Sequence, residues 1–409
     1  MRVVYLHQYF NTPEMSGGTR SYEMARRLVA AGHQVDLLTT WREPTAKRGW
    51  FVTQEAGITV HWLPVPYSNH MGARERLRAF WRFATTSARR AASLPADVIF
   101  ATSTPLTIAV PAIIASVWRR RPMVFEVRDL WPDVPVAVGA LTNPLAIRAA
   151  YWLEYLAYHM SRRIVTLAPG MKASVVSRGI SDSLVSVIPN GCDFDVFHSD
   201  VAGANGAPWT NGESIAVLYL GTMGPANGVE YIPRLARELE SQAAAPRVDF
   251  YLIGDGKQRA VAEALAAKLG VLDRTVHFVR PMPKRELARW IVFADATIIT
   301  YDGPEIVFRD SVSNKFFDSL AAGKPVIANY SGFATVTAAQ AGAGFIIDRD
   351  PVRGAAELAD LVRDPSTLAR AGERAHALGS ERFSRDKLAR DLELVLLDAV
   401  NGRRARRSA

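Results

Sequence analysis

Short apolar runs that alternate with helix-like segments constrain the fold of this chain more than any other feature. The runs are rich in β-branched residues and are continuous, rather than apolar at every second position, which is typical of parallel strands covered on both faces. The sequence therefore predicts an α/β fold with doubly wound parallel sheets. The predicted strands are RVVYLHQY, QVDLLTT, DVIFAT, PMVFEVRD, RIVTLA and LVSVIP in the first half, and SIAVLYLGT, VDFYLIGDG, TVHFVR, ATIIT, KPVIAN and AGFIID in the second.

The alternation occurs in two series, which predicts two domains. A length of 409 residues is long for a single hydrophobic core. Residues 200–213 are rich in Gly, Ala and Asn and are predicted to be a linker. We assign residues 1–200 to a first Rossmann-like domain and 201–383 to a second, with a helix over 384–400 as a candidate to pack back on the first. Ligands bind outside the carboxyl ends of parallel strands, so two such domains that face each other are expected to enclose a cleft.

The composition is that of a globular protein from a reducing compartment. Hydrophobic residues make up 49% of the chain and charged residues 22%. The one cysteine, Cys192, excludes a framework of disulfides. The apolar stretch before His7 is too short for a signal peptide. We therefore expect a cytoplasmic protein.

One uncharged segment, residues 98–118, is long enough to span a bilayer. Two prolines and several hydroxyl side chains interrupt it, and it divides into a strand over 98–103 and a helix that starts near Pro105. We therefore predict a buried strand–helix pair, with a membrane span as the alternative.

Positive charge is concentrated in one predicted helix, residues 72–92. The whole chain has a net charge of +9, and this helix is rich in arginine with a single acid. At helical spacing its apolar side chains form a stripe beside a basic face, which suits an anionic membrane surface. The alternative is a surface helix whose aromatic side chains face the core. Nucleic acid is not expected as a partner, because no base-reading motif accompanies the charge. The stripe consists of Leu77, Phe80, Trp81 and Phe83.

Two glycines at the end of the first predicted strand–loop segment are candidates for ligand binding. Gly17 and Gly18 precede the first helix, and Arg20 follows them. Glycines let the backbone approach a ligand closely, and the free amides of a helix start favour an anion. An ordinary turn is the alternative.

A charged triplet follows another apolar strand of the first domain, in the segment FEVRDLWPD. Its members are Glu126, Arg128 and Asp129. Charges at a buried strand end are costly unless they are paired. Arg128 and Asp129 are therefore candidates for catalysis, with a structural Arg–Asp ion pair as the alternative.

The second domain has a glycine turn, LIGDGK, directly after a predicted strand. Gly254 in this turn could admit a flat base or a phosphate, and Arg280 at the end of TVHFVR is assigned to the same ligand site. The dinucleotide fingerprint, a Walker sequence, a nucleophile elbow and a His/Cys metal cluster are all absent from the sequence, so no metal site is expected. Four histidines without ligand spacing are interpreted as structural, namely His7, His33, His61 and His159.

The segment DSVSNKFFDSLAAGKPVIAN, residues 310–329, combines two acids and a lysine at a helix start ahead of a buried strand. If a helix starts near Asn314, its first amides and Lys315 form a positively polarised pocket for a diphosphate. Asp318, in the next turn, could accept hydrogen bonds from a ribose diol, and Asp310 could reach hydroxyls on the group that the diphosphate carries. The alternative is a solvated helix start with capping acids.

These motifs together resemble glycosyltransferase family 4, whose members are retaining, nucleotide-sugar-dependent enzymes of the GT-B fold. The resemblance covers nearly the whole chain. FEVRDLWPD with NKFFDSLAAGKPV is similar to the branch that acts in colanic-acid, O-antigen and capsule assembly. The motifs that carry the resemblance are SGGTRSYEMARRLVAAGHQVDLLTT, IPNGCDFDVF, LIGDG and VSNKFFDSLAAGKPVIAN.

By resemblance, the paired acids of the family, with seven residues between them, fall on Asp310 and Asp318. Both are usually glutamates in the family. The resemblance assigns Asp318 to the donor ribose and Asp310, with nearby amides, to the donor sugar. Arg128 and Asp129 occupy the place of a His-Asp pair, and Arg128 is expected to orient groups or stabilise charge, since arginine stays protonated.

The family usually has an arginine and a lysine on the loop after the first strand of the second domain, where they hold the diphosphate. Those positions are Thr222 and Asn227 in this chain. The phosphate charge must then be met by another cation, and Lys315 is favoured because it sits at the predicted helix start. The other candidates are Arg309, Arg20 and Arg128.

The resemblance implies metal-independent sugar transfer with retention at the anomeric carbon. The expected donor is a UDP-linked N-acetylated hexosamine or deoxyhexosamine, with no further cofactor. The expected acceptor is lipid-linked or a polysaccharide, in cell-surface glycan synthesis such as lipopolysaccharide, O-antigen or capsule. The protein is expected to be peripheral on the inner face of the plasma membrane. The alternatives are a UDP-N-acetylglucosamine 2-epimerase of the same fold and a non-catalytic sugar-binding protein.

Overall fold

The computed structural model describes residues 1–15, 17–67, 71–103, 105–197, 214–242 and 246–405. The chain divides into two compact units. The first comprises Met1–Thr12, Gly18–Pro189 and Asp386–Ala409, and the second comprises Pro13–Gly17 and Asn190–Arg385. The predicted linker and the predicted boundary after residue 200 lie outside the described residues. Residues 190–197, which the sequence placed in the first domain, belong to the second unit.

The first unit is built on an eight-stranded sheet. In chain order its strands are β1 (Arg2–Leu6), β2 (Gln34–Trp41), β3 (Phe51–Glu55), β4 (Ile58–Pro64), β5 (Val98–Ser103), β6 (Met123–Val127), β7 (Arg163–Thr166) and β8 (Val185–Val187). Their spatial order is β3-β4-β2-β1-β5-β6-β7-β8, and all neighbours are parallel except β3 and β4. Every residue of β5 and β6 is buried, as the continuous apolar runs predict.

β3 and β4 form an antiparallel hairpin that the apolar runs did not predict. Ala56 and Gly57 make the two-residue turn, with φ of 49° and 80°. Positive φ at both positions is what a type I′ turn requires. The exposure of β3 changes from one residue to the next, so its signal is an alternation of period two rather than a continuous apolar run.

Helices cover this sheet. Among the described residues of the first unit they are α1 (Arg20–Ala30), α2 (Ala73–Ser93), α3 (Ala109–Arg119), α4 (Asp133–Ala137), α5 (Pro144–His159) and α6 (Pro169–Ser177). The segment 98–118 forms β5, one 3-10 turn and α3, which confirms the predicted strand–helix pair. Across the part of the chain that the structure describes, no helix combines the length and apolar character that crossing a bilayer requires.

The second unit is built on a six-stranded parallel sheet. In chain order its strands are β9 (Ile215–Leu220), β10 (Val248–Ile253), β11 (Val276–Val279), β12 (Ala296–Ile299), β13 (Val326–Ala328) and β14 (Gly344–Ile346). Their spatial order, β11-β10-β9-β12-β13-β14, is that of the dinucleotide-binding doubly wound fold. The winding reverses between β9 and β12, and ligands bind such sheets beyond the carboxyl ends of the strands at this switch point.

The described helices of the second unit are α7 (Tyr231–Leu239), α8 (Arg259–Leu269), α9 (Lys284–Phe293), α10 (Glu305–Phe308), α11 (Asn314–Ala321), α12 (Phe333–Gln340), α13 (Pro351–Arg363) and α14 (Pro365–Arg382). The last helix, α15 (Arg385–Ala405), belongs to the first unit from Asp386 onward. Contacts with the rest of this unit hold it there. Arg27 Nε lies 2.5 Å from Asp386 Oδ1 and Arg163 Nε lies 2.5 Å from Asp398 Oδ2, and His33 Nε2 is within hydrogen-bond distance, 2.7 Å, of Glu393 Oε1.

Candidate functional site

α11 begins at Asn314, as the sequence predicted, and Ser313 is its N-cap. Ser313 Oγ accepts a hydrogen bond from the Lys315 amide at 3.3 Å. The Lys315 amide therefore already has a partner within the chain. Binding of an anion by the other amides of this turn together with the Lys315 side chain stays a prediction.

The Lys315 ammonium is buried beside the end of β9. Its Nζ lies 3.8 Å from the centre of the Tyr219 ring, and among the described residues it has no hydrogen-bond partner. Burial lowers the pKa of Lys315 to about 7. A buried ammonium without a counter-charge is costly, so a bound anion would supply the partner that the described part of the chain does not.

The loop after β9 brings backbone close to Lys315 but contributes no charge at the two positions where the family carries cations. A side chain at Gly221 would meet Lys315 Cε at 3.4 Å. Asn227 Oδ1 accepts a hydrogen bond from the Gly224 amide at 3.0 Å, and the Thr222 carbonyl accepts one from the Tyr219 hydroxyl at 2.6 Å. Asn227 therefore shapes the loop, and the Lys315 side chain lies beside it at Gly221.

The same loop is bonded to the end of β12, across the switch point. Thr300 Oγ1 donates to the Asn227 carbonyl at 2.6 Å, and the Asp302 amide donates to the Ala226 carbonyl at 3.0 Å. Gly228 has a φ of 54°, and a side chain there would meet Asp302 Cβ at 2.9 Å. The backbone around Lys315 is thus fixed from two neighbouring strands.

Gly254, which was predicted to admit a base or a phosphate, is required by backbone packing. It has a φ of 154°, and a Cβ at this position would lie 1.9 Å from the Gly221 carbonyl oxygen. The Gly221 amide also donates to the Ile253 carbonyl at 2.7 Å. The structure gives Gly254 a structural reason for being glycine, and contact with a ligand stays a prediction.

Replacing Gly254 with alanine is expected to destabilise the second unit by roughly 2 kcal/mol or more, because neither backbone segment can move aside. The control is Gly270→Ala, since Gly270 also has a positive φ, 71°, but has no neighbouring atom within 4 Å. That control is expected to cost about 1 kcal/mol. Urea unfolding of both variants measures the difference, and equal losses would contradict the packing argument.

Asp318 lies in a buried cluster of charges rather than alone. Lys284 Nζ lies 3.0 Å from Asp318 Oδ1 and 3.0 Å from Asp193 Oδ2. Asp193 in turn accepts two hydrogen bonds from Arg385, each 2.9 Å long. The sequence did not predict Lys284, Asp193 or Arg385 as site residues, and no local pattern points to them.

Asp310 and Arg280 occupy different environments in the second unit. Asp310 is 5% exposed, and its Oδ2 lies 3.1 Å from Nε of its neighbour Arg309. Arg309, one of the cations considered for the phosphate, thus forms an ion pair with an acid, although its side chain stays half exposed. Arg280 follows β11 directly and is exposed at the carboxyl edge of the sheet.

Arg20, which was predicted to bind the donor, is fully buried in the first unit. Its Nη2 lies 2.8 Å from Glu126 Oε1, and both side chains have no exposed surface. The guanidinium also donates to the carbonyls of Ile188 and Pro189. Burial acts to raise the pKa of Glu126, but Arg20 outweighs it and leaves that pKa lowered. The prediction needs correction, since these partners occupy the Arg20 guanidinium.

The two glycines before α1 have backbone roles. Gly17 has a φ of 126°, which favours glycine, and the Gly18 carbonyl accepts a hydrogen bond from Asn11 Nδ2 at 3.2 Å. Contact of either glycine with a ligand stays a prediction.

Arg128 meets a histidine at the carboxyl edge of the first sheet. Its Nη1 lies 3.2 Å from His7 Nε2, so Nε2 accepts and the ring proton is on Nδ1. Burial, followed by the charges of Arg128 and Arg42, holds the pKa of His7 well below its usual range. His7 was interpreted as structural, and its contact with Arg128 was missed. Asp129 is exposed.

Within the described ranges, no three His, Cys, Asp or Glu side chains come together as metal ligands would.

Two family models match the chain. A glycosyl transferase 4-like domain matches residues 17–191, and a glycosyl transferases group 1 domain matches residues 214–364. A D-inositol 3-phosphate glycosyltransferase of Kribbella flavida is 30% identical over 219 residues, which are 49% of this chain and 48% of that protein. The chain spans about half the length of the curated relatives it matches.

Solved structures with low sequence identity share the fold. Sucrose-phosphate synthase from Thermosynechococcus elongatus has a TM-score of 0.74 at 16% identity, covering 96% of this chain and 98% of that chain. Anabaena Alr3699/HepE in complex with UDP has a TM-score of 0.68 at 18% identity, covering 97% of this chain and 100% of that chain. The two parallel-sheet units and these neighbours define the GT-B fold, which confirms the predicted fold class. With both matched domains, the chain belongs to the GT-B glycosyltransferases.

Proposed function

We propose that the chain is a retaining, metal-independent glycosyltransferase that takes a sugar from a UDP-sugar donor bound in its second unit. The observation that carries the proposal is the buried Lys315 ammonium, which has no partner among the described residues and lies at the carboxyl end of β9. A diphosphate is the anion that this position of a doubly wound sheet suits. The likeness to a fold neighbour solved with UDP supports uridine as the base.

In this proposal the protein works by fixing charge around the departing diphosphate. Lys315 stabilises the negative charge that develops on the β-phosphate when the sugar leaves. Asp318 accepts hydrogen bonds from the ribose diol, and Asp310 accepts them from hydroxyls of the sugar. The departing phosphate takes the proton from the acceptor hydroxyl, and Arg128, with Asp129 beside it, orients groups on the acceptor side.

The finer assignment follows the branch resemblance. The donor sugar is an N-acetylated hexosamine or deoxyhexosamine, and the acceptor is lipid-linked or a polysaccharide in cell-surface glycan synthesis. The protein then acts in the cytoplasm as a peripheral protein of the inner face of the plasma membrane.

A second candidate acceptor is a small phosphorylated polyol. Two cations of the first unit, Arg42 and Arg128, act on the buried His7 at the carboxyl edge of the sheet. A phosphate on the acceptor would find a positive field there. The names of a D-inositol 3-phosphate glycosyltransferase and a sucrose-phosphate synthase among the similar proteins favour this class.

Thermal unfolding in the presence of UDP-, GDP- and ADP-sugars tests the proposal. A UDP-sugar is expected to raise the Tm. With the same UDP-sugar as donor, the protein is expected to form UDP faster when an acceptor is added. Lipid-linked glycans and phosphorylated polyols, tested in parallel, distinguish the two acceptor classes. An epimerised donor formed without acceptor would identify a 2-epimerase instead. A chain stabilised by no nucleotide sugar would contradict the proposal.

Exposed apolar side chains on α3 and α5 support a membrane contact wider than the predicted helix 72–92. On α2, Phe83 faces the core, as the surface-helix alternative expected, whereas Trp81 is 46% exposed and available for a contact at the surface. α3 packs against both α2 and α5, and Trp118 and Trp152 are 77% and 63% exposed. Exposed aromatic side chains among arginines suit the interface of an anionic bilayer.

Changing Arg74, Arg78 and Arg82 of α2 to glutamate is expected to release the protein from vesicles of phosphatidylglycerol and phosphatidylcholine, because these three side chains are exposed on one helix face. Co-sedimentation measures binding. The matched control is the same change at three exposed arginines of the second unit, which alters the net charge equally and should leave binding in place. Equal effects of the two triple variants would contradict a membrane face on α2. The control positions are Arg237, Arg353 and Arg363.

A further inference from the structure

Lys284 is the centre of a buried network in the second unit. Its ammonium lies 3.0 Å from Asp318 Oδ1 and 3.0 Å from Asp193 Oδ2. The side chains of Lys284 and Asp318 are 13% and 14% exposed, and those of Asp193 and Arg385 are 1% and 2% exposed. Two carboxylates and two cations thus neutralise each other almost without water, which makes each member sensitive to the loss of another.

The network divides its partners unequally between the two acids. Asp193 is held by both Lys284 and Arg385, so its oxygens are all engaged. Asp318 has its Oδ1 in the ion pair with Lys284, whereas its Oδ2 makes no ion pair or hydrogen bond with the described residues, and the side chain keeps some exposed surface. Asp318 is therefore the member of the network that keeps a carboxylate oxygen able to accept hydrogen bonds from the two hydroxyls of a bound ligand.

The Asp318 carboxylate has two lysines within its neighbourhood, Lys315 and Lys284, and it pairs with Lys284. Asp318 lies three residues after Lys315 on α11, so the two side chains occupy neighbouring positions on one helix face. The carboxylate nevertheless pairs with Lys284, on α9, and burial alone accounts for the lowered pKa of Lys315. Among the residues that the structure describes, the Lys315 ammonium thus has no carboxylate partner.

We propose that Lys284 is a positioning residue for donor recognition: it holds the Asp318 carboxylate as the acceptor for the ribose diol and away from Lys315, which is left for the diphosphate. This inference rests on the proposed function, since it assigns the ribose and the diphosphate to neighbouring positions on α11. Lys284 itself need not touch the donor.

The charge of Asp318 depends on the same ion pair. The charged groups that face it are Lys284 on α9, Asp193 in the segment that begins at Asn190, and Arg385 at the start of α15. Burial raises the pKa of Asp318, and Lys284 is the strongest influence against it. Without Lys284 the pKa would rise further, so the carboxylate would be present at high pH and lost as the pH falls.

The test compares UDP with 2′,3′-dideoxyuridine diphosphate, which lacks the ribose diol, by calorimetric titration of the full chain. The wild type is expected to bind UDP about tenfold more tightly, the value of a hydrogen bond to a charged acceptor. In Lys284→Met the ratio of the two affinities is expected to fall towards one near pH 6 and to recover partly near pH 8. Lys284→Arg keeps the positive charge and should keep the preference.

Separate outcomes distinguish the two proposals. A wild type that binds none of UDP, GDP and ADP would overturn the proposed function. If the wild type prefers UDP and the Lys284→Met variant prefers it to the same extent, the proposed role of Lys284 is wrong. An equal loss of affinity for both nucleotides in that variant would also overturn the role of Lys284, because a purely structural role predicts such a loss. Lys268→Met, at an exposed position of α8, is the matched control and should behave as the wild type.

Discussion

Lys315→Ala is expected to weaken UDP binding by about a hundredfold at pH 6.5, because a buried phosphate would lose its counter-charge. In the free protein burial leaves the pKa of Lys315 at about 7. A bound diphosphate raises that pKa, so the affinity is fully present below pH 7 and falls as the pH rises towards the pKa of the complex. Between about pH 8 and 9 each bound nucleotide should take up close to one proton, and the affinity should fall by up to roughly tenfold per pH unit.

Calorimetric titration in buffers of different ionisation enthalpy measures the proton uptake. Lys315→Arg is the control, because a guanidinium stays charged and should bind UDP without taking up a proton. A wild-type affinity that does not change between pH 7 and 9, or an alanine variant that binds as well as the wild type, would remove Lys315 from the diphosphate site.

Arg20→Met is expected to lower the free energy of unfolding of the first unit by about 3 to 5 kcal/mol, because it leaves the buried carboxylate of Glu126 without its ion-pair partner. The UDP affinity of the second unit should not change. This combination separates a structural role for Arg20 from the donor-binding role that its place at the helix start suggested.

The matched control is Arg2→Met, which removes an ion-paired arginine from the same unit. Arg2 pairs with Asp97 at 3.0 Å, but the two side chains are 42% and 26% exposed, so its removal is expected to leave the free energy of unfolding almost unchanged. Urea unfolding, followed by tryptophan fluorescence, measures both variants. A stable Arg20→Met variant with weakened UDP binding would instead support the donor-binding role of Arg20.

The fold followed from the sequence because its signals are local. Continuous apolar runs between helix-like segments are sufficient to predict buried parallel strands, and the helix start at Asn314 follows from the residues next to it. The edge strand β3 was missed because its exposure alternates, so it gives no continuous apolar run, and its partner β4 was missed although it is almost wholly buried. A search for period two beside the continuous runs would have found β3.

The candidate site was predicted only in part, because its charges pair over long distances along the chain. Asp193 meets Arg385 across 192 positions, and Arg20 meets Glu126 across 106. The topology of the sheet decides such pairs, and no spacing of nearby residues encodes them. Lys315 and Asp318 were within reach of sequence reasoning because both are on one short helix, whereas Lys284 was not.

Apart from Pro13–Gly17, the second unit is one continuous insertion in the first, and hydrogen bonds and an ion pair join the two ends of this insertion. The Cys192 amide donates to the Phe383 carbonyl at 2.8 Å, and Asp193 holds Arg385. A polypeptide of residues 190 to 385 would therefore keep these contacts between its termini and all six strands of its sheet. It is a natural choice for independent expression. The remainder is discontinuous, and a fragment that stops at residue 189 would lack the helix that follows Asp386.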